Sequence, residues 1–233
     1  MKDLARELVE RIPVLTQLKS VDIALENTKN NLPFLLHTIN DIKVKSATHI
    51  SSAIIIASGP SLHRQNPVKT IIESGYSGTT ICADGALPYC LRNGLIPDYV
   101  VTLDPHPTRI VRWFGDPNLS KHVLEEDDYF RRQDLDPHLE EAEMERNYEL
   151  IDLVDKHSSN IKCIIATCSS RSVRDRCIHS GMELYWWNPL YDDVEEKGSL
   201  TRRVYDITRA PCLATGGNTG SAAWVFANAV LKK

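Results

Sequence analysis

Ala53-Ile54-Ile55-Ile56-Ala57-Ser58-Gly59-Pro60-Ser61-Leu62 decides how the rest of the chain is read. Five apolar residues run without alternation, as a strand does when both of its faces are covered. The run ends in a Gly-Pro-Ser turn, and a helix is predicted from there to about Glu73. The same grammar repeats downstream. Thr79 to Cys82 reads as a strand, followed by Asp84-Gly85-Ala86 and a helix through Leu91 that stops at Asn93-Gly94. Asp98 to Leu103 is a third strand, ending at Asp104-Pro105. Ile161 to Thr167 is a fourth, with a helix from about Ser170 to His179 closed by Gly181. Met182 to Trp187 is a fifth, and Thr215-Gly216-Gly217-Asn218-Thr219-Gly220 opens a helix of small and apolar residues through Leu231. Strands that alternate with helices predict an open, mostly parallel α/β sheet with helices on both faces.

Before this stretch the pattern differs. Leu4, Leu8, Ile12 and Leu15 recur at helical spacing, and Leu18, Val21 and Leu25 continue the stripe beyond Pro13. Pro33 interrupts a second apolar patch, Phe34, Leu35, Leu36 and Ile39. One or two amphipathic helices are expected over residues 1–50, either packed on the main domain or mediating homo-oligomer contacts. Between Pro105 and Asn160 lies a charged insert with Glu125-Glu126-Asp127-Asp128 and Glu140-Glu141-Ala142-Glu143. It reads as a solvated face rather than a metal site, with Asn147 to Val154 helical.

The 233 residues suffice for one sizeable core. With 42% hydrophobic and 25% charged residues, the chain is neither disordered nor fibrous. Lys plus Arg is 27 against 31 for Asp plus Glu, a net charge of −4, so no global footprint for DNA is present. No apolar run is long enough for a membrane span, and no signal-peptide core follows Lys2. Six cysteines without a CxxC pair fit reduced thiols in a cytoplasmic protein.

Ligands of open α/β sheets bind beyond the carboxyl ends of the strands. Gly59-Pro60-Ser61 is a turn that can hold a phosphate, or a simple turn with Ser61 as N-cap. Gly216-Gly217-Asn218-Thr219-Gly220 is the stronger signal: three glycines in five residues let the backbone approach an anion at the start of a helix, with Asn218 or Thr219 as cap. Asp84 and Asp104 each follow a strand and are candidates for ribose hydroxyls or a water-mediated Mg²⁺, or for capping. Asp98, at the opposite end of its strand, reads as structural. His63 and His106 adjoin these loops as candidate acids or bases. Of Trp186 and Trp187, on opposite faces of one strand, one is expected in the core and the other is a candidate to stack on a base or pterin ring. Arg202 and Arg203, in an expected loop, are candidates to clamp a diphosphate or simple surface charges.

Taken in order, Ala57-Ser58-Gly59-Pro60-Ser61-Leu62, Cys82-Ala83-Asp84-Gly85-Ala86, Ile96-Pro97-Asp98-Tyr99-Val100-Val101-Thr102-Leu103-Asp104-Pro105 and Thr215-Gly216-Gly217-Asn218-Thr219-Gly220-Ser221-Ala222 resemble the core of the motility accessory factors, grouped with 6-hydroxymethylpterin diphosphokinase MptE-like proteins. The resemblance covers Ala53 to the carboxyl end, with the N-terminal helices outside it. It implies a Rossmann-like domain over 51–233 beside a helical segment over 1–50. It also implies a transferase that moves a nonulosonic (sialic- or pseudaminic-type) sugar from a CMP-activated donor to protein hydroxyls, flagellin being the family's acceptor. Gly59, Pro60, Ser61 and Gly216, Gly217, Asn218, Thr219, Gly220 would then cradle the nucleotide, with Asp84 lining the crevice and Asp104 and His106 serving catalysis. The alternatives are an ATP- and Mg²⁺-dependent pterin diphosphokinase, for which Thr102-Leu103-Asp104-Pro105-His106-Pro107 supplies a single acid, and a non-catalytic nucleotide-binding assembly protein. The family continues past the glycine-rich helix with a strand and an acidic loop, so the domain here is expected to be shortened at its carboxyl end.

Overall fold

Strands that read as continuous apolar runs need cover on both faces, and the chain supplies it in two different ways. The computed structural model describes residues 21–43, 52–126 and 137–233. The expected stripe from Leu4 to Leu18 lies outside the described residues. In chain order the elements are α1 (residues 21–31), β1 (Ala53–Ile56), α2 (Pro60–Gln65), α3 (Pro67–Glu73), β2 (Thr79–Ala83), α4 (Leu87–Arg92) and β3 (Tyr99–Thr102). There follow a 3-10 helix (Ile110–Phe114), α5 (Lys121–Glu126), α6 (Pro137–His157), β4 (Lys162–Ala166) and α7 (Arg171–Ser180). The last elements are β5 (Glu183–Pro189), α8 (Leu200–Thr208), β6 (Cys212–Leu213) and α9 (Thr219–Ala229).

The sheet is parallel throughout and its strands lie in the order 1-2-3-4-5-6. Parallel crossovers are almost always right-handed, so a sheet laid down in chain order carries its connections on one face. The core shows this. Ile56, Cys82, Val100, Cys163, Ile165 and Trp186 point into a layer formed by α2, α3, α4, the 3-10 helix, α6 and α7. Ile81, Val101, Ile164, Ala166, Tyr185 and Trp187 point the other way, where α9 and residues 24–42 cover them. Small residues let α9 lie close, with Ala222, Ala223 and Ala227 buried and Phe226 edge-on to Tyr99 at 5.3 Å.

The sheet is also curled. Gly220 reaches Ala57 beside β1 only seven residues after Leu213 of β6. In a flat sheet five strand spacings would separate those edges by about 24 Å, the full extended reach of those residues.

Several local expectations are corrected. The helix expected up to Glu73 breaks at Asn66, which is left-handed (φ 43°) before Pro67. Proline disfavours helical geometry in the residue before it and contributes no N–H of its own. Residues 200–208, expected as loop around Arg202 and Arg203, form α8, capped by Ser199. Asp192 reinforces that start by accepting from the Ser199 hydroxyl and the Leu200 and Thr201 N–H groups. Trp186 and Trp187 are both fully buried, one in each layer, so neither can stack on a ligand. Residues 21–43 pack on the domain, but not through the Val21 and Leu25 stripe. The buried face of α1 is Ala24, Thr28 and Asn31.

The insert is tied down by polar contacts. Asn147 exchanges two 2.8 Å hydrogen bonds with the backbone of Asp116. The buried Arg176 donates to the carbonyls of Phe114 and Gly115 and pairs with Asp155 at 2.6 Å. Gly115 has φ +75°, and a Cβ there would lie within 2.9 Å of the Ile151 backbone. Gly115→Ala is therefore expected to destabilise the fold by about 2 kcal/mol or more, read from urea unfolding, whereas Gly94→Ala, whose Cβ meets nothing within 4 Å, should cost less.

Candidate functional site

The carboxyl ends of β1, β2 and β3 gather most of the loops singled out in the sequence. Gly59 is the extended N-cap of α2, with Pro60 at the first helical position, so Ser61 lies inside the helix rather than capping it. At the adjoining strand end, Asp84 opens a 3-10 turn and Gly85 packs against Ser58: a Cβ on Gly85 would come within 2.7 Å of Ser58 Oγ. On the other side of Ser58, a Cβ on Gly220 would meet the Ala57 methyl at 3.1 Å. The glycine-rich loop and the Gly-Pro-Ser loop thus meet across the end of β1.

The glycine-rich turn is built for close approach. Gly216 and Gly217 are left-handed (φ +58° and +84°), and Gly217 N–H donates to Thr215 Oγ1 at 3.2 Å. Asn218 is the N-cap of α9, its side-chain oxygen accepting the Ser221 N–H at 2.9 Å. The N–H groups of Thr219 and Gly220 lie in the first turn, where no intrahelical acceptor exists, at the positive end of the helix dipole.

Asp84 and Asp104 come from neighbouring strand ends. Asp84 is only 6% exposed and accepts from Gly85 N–H (2.7 Å) and the Thr102 hydroxyl (2.9 Å). Burial pushes its pKa up to about 6; the hydrogen bonds from Thr102 and Gly85 oppose the rise, and the charge of Asp104 adds to it. Asp104 itself is exposed and accepts the His106 N–H at 2.8 Å. His106 Nδ1 accepts the N–H groups of Thr108 and Arg109, at 3.3 and 3.2 Å. An imidazole nitrogen that accepts is unprotonated, so the neutral ring carries its proton on Nε2. The side chain of His63 lies outside the described ones.

Two features here escaped sequence reasoning. One is α1, whose polar face clamps the loops after β3 and β4. Asn27 Nδ2 donates to the carbonyls of Pro105 (3.0 Å) and Cys168 (2.9 Å), and Asn31 Nδ2 to those of Thr167 and Ser169, both at 2.8 Å. The buried Arg174 completes the clamp by donating to Asn30 O and Asn31 Oδ1. Asparagines in a helix give no hydrophobic stripe, so the periodicity of the sequence does not report them. The other is Trp113, half-exposed beside Gly85. The remaining candidates sit elsewhere. Arg202 is committed to the Val194 carbonyl. Asp98 staples β2 to β3 through the Thr80 N–H and hydroxyl, as its strand-entrance position implies. A cavity of about 320 Å³ opens at that opposite edge, lined in part by Lys43, Asp98, Tyr99 and Lys162. Among the described residues, no group of three or more His, Cys, Asp or Glu side chains is assembled, and no helix is long and apolar enough to cross a membrane.

A carboxyl with its pKa raised from 3.8 to about 6 opposes folding above pH 6, by up to about 3 kcal/mol, and the penalty vanishes as pH falls below 4. Asp84→Asn keeps an acceptor for Gly85, and the Thr102 hydroxyl can reverse to accept. The variant is expected to unfold at a higher temperature than the parent at pH 7.5, with the difference shrinking as pH falls from 6 and closing below pH 4; a difference independent of pH would contradict the buried-charge assignment.

The family model described as 6-hydroxymethylpterin diphosphokinase MptE-like matches residues 25–120. Among solved structures the chain is similar to that of a MAf glycosyltransferase from Magnetospirillum magneticum AMB-1, at 14% identity and a TM-score of 0.49. That similarity covers 91% of this chain and 26% of the other, so this chain spans about a quarter of that protein's length. No curated protein matches. The family match starts inside α1 rather than at Ala53, and so takes in the helix that clamps the site together with β1 to β3. The matched segment, residues 25–120, carries the Gly-Pro-Ser turn, Asp84 and Asp104.

Proposed function

We propose that the chain is a nucleotide-dependent transferase whose ligand lies along the carboxyl ends of β1 to β3. One observation carries the reading: Gly85 against Ser58 and Gly220 against Ala57, which join three separate loops into one edge. Glycine at these contacts lets the loops pack without a side chain of its own between them. The phosphate belongs at the Thr219 and Gly220 N–H groups, where the helix dipole favours an anion.

The favoured chemistry is glycosyl transfer from a CMP-activated nonulosonic sugar to a protein hydroxyl. The bond from the sugar to the nucleotide phosphate breaks and a bond to the acceptor oxygen forms. The acceptor proton passes to a base, and the departing phosphate needs donors. The exposed Asp104 carboxylate suits the base. His106, with its proton held on Nε2, suits a donor to the leaving phosphate. Nothing in this division of roles requires Asp84 to be charged, which fits its raised pKa.

A second reading, diphosphate transfer from ATP to a hydroxymethylpterin, is favoured by the family whose model matches residues 25–120. Asp84 also lies near enough to Asp104 to feel its charge, so the single acid of Thr102 to Pro107 has a second carboxyl near it. In that reading the two carboxylates would hold Mg²⁺, which offsets the negative charge of the transferred group.

Thermal unfolding with CMP, CDP, CTP, ATP and GDP, each with and without Mg²⁺, separates the two. The expected result is metal-independent stabilisation by cytidine nucleotides, about 2.7 kcal/mol at a hundredfold excess over Kd. It should be lost in Gly217→Val, where a β-branched residue cannot adopt φ +84°. Stabilisation by ATP with Mg²⁺ alone would overturn the glycosyltransferase reading in favour of the diphosphokinase. Binding of nucleotide without turnover of any donor would leave a non-catalytic assembly protein.

A further inference from the structure

Trp113 lies in the 3-10 helix Ile110–Phe114, whose Ile110, Val111 and Phe114 are buried in the crossover layer. Those three anchors fix the backbone and turn Trp113 away from the core, where it stays 42% exposed. The indole nevertheless has a defined neighbour. Its Cε2 is 3.8 Å from where a Cβ on Gly85 would sit. Gly85 cannot carry one without meeting Ser58 Oγ at 2.7 Å. The ring therefore borders the bare backbone of the Asp84–Gly85 turn, at the edge assigned above to the ligand.

We infer that Trp113 is the stacking platform for the planar heterocycle of that ligand, an inference that rests on the nucleotide-binding reading. Three observations support it. The indole is partly open to solvent beside a glycine turn, and a flat ring is the group that stacks on such a surface. The contacts also form one chain, from Trp113 to Gly85 and Ser58, then to Ala57 and Gly220. It passes from the end of β2 to the end of the neighbouring β1, about 5 Å away, and ends at the start of α9. Finally, Trp186 and Trp187 are sealed in the core and Trp224 is exposed beyond the first turn of α9, whereas Trp113 borders this edge through Gly85. Trp113 is thus a specificity residue for the ring, separate from the backbone groups that hold the phosphate.

The test is isothermal titration of the parent chain, Trp113→Ala and Trp113→Phe with CMP, ATP, 6-hydroxymethylpterin and ribose 5-phosphate, the last having no ring to stack. Trp113→Ala is expected to weaken the ring-bearing ligand about tenfold or more. Trp113→Phe should restore most of the affinity, and ribose 5-phosphate should bind all three proteins equally. Which ring responds identifies its source, a nucleobase or a pterin. Unchanged affinity in Trp113→Ala overturns the inference while leaving the nucleotide reading intact. Equal weakening of ribose 5-phosphate also overturns it, because the role would then be structural. If the parent binds none of the four, the nucleotide reading fails and the inference with it.

Discussion

A parallel sheet laid down strictly in chain order can be wound only one way. Each right-handed crossover returns to the same face, so that face fills with α2, α3, α4, α6 and α7 while the other is left bare. Something that is not a crossover must cover the bare face, and only the two ends of the described chain are available. Residues 24–42 supply one part and α9 the other. The candidate site follows from this constraint. To reach the bare face, α9 must start at the carboxyl edge of the sheet, which brings its N–H groups and Gly220 beside the end of β1. Curling of the sheet lets a short loop from β6 make that journey.

The strands were legible because burial on both faces removes the alternation that would otherwise blur their limits. Ala53–Ile56, Thr79–Ala83 and Lys162–Ala166 are read almost residue for residue. Loops after the strands were legible for the same reason, as glycine, proline and aspartate stand out against apolar runs. The failures have physical causes too. β6 is two residues long and carries no pattern. The α1 interface is made by Asn27 and Asn31, whose side-chain amides donate to carbonyls over a hundred residues away, and no local periodicity reports such contacts. Trp186 and Trp187 drew attention as aromatics at a strand end, yet a central strand of a doubly covered sheet buries both.

Asp84 and Asp104 show how one edge can hold two acids in different surroundings. Asp84 is sealed behind Thr102 and Gly85 and favours its neutral form over a wider pH range than an ordinary carboxyl. Asp104 sits in a solvent-facing turn that also orients His106. The charge of Asp104 adds to the cost of charging Asp84. A ligand with its own negative charge would be held away from Asp104 and towards the backbone donors of α9. A divalent cation would reverse that preference.

The clamp made by Asn27 and Asn31 has a consequence for how the chain is made. The helix that bears them is translated before its carbonyl partners at Thr167, Cys168 and Ser169, which come up to 141 residues later. At about 5–20 residues per second the ribosome takes roughly 7–28 s to deliver them. A leucine-faced docking surface would spend that interval as a sticky patch. An asparagine- and threonine-faced one can wait in water, satisfied by solvent, until the fourth strand arrives to claim it.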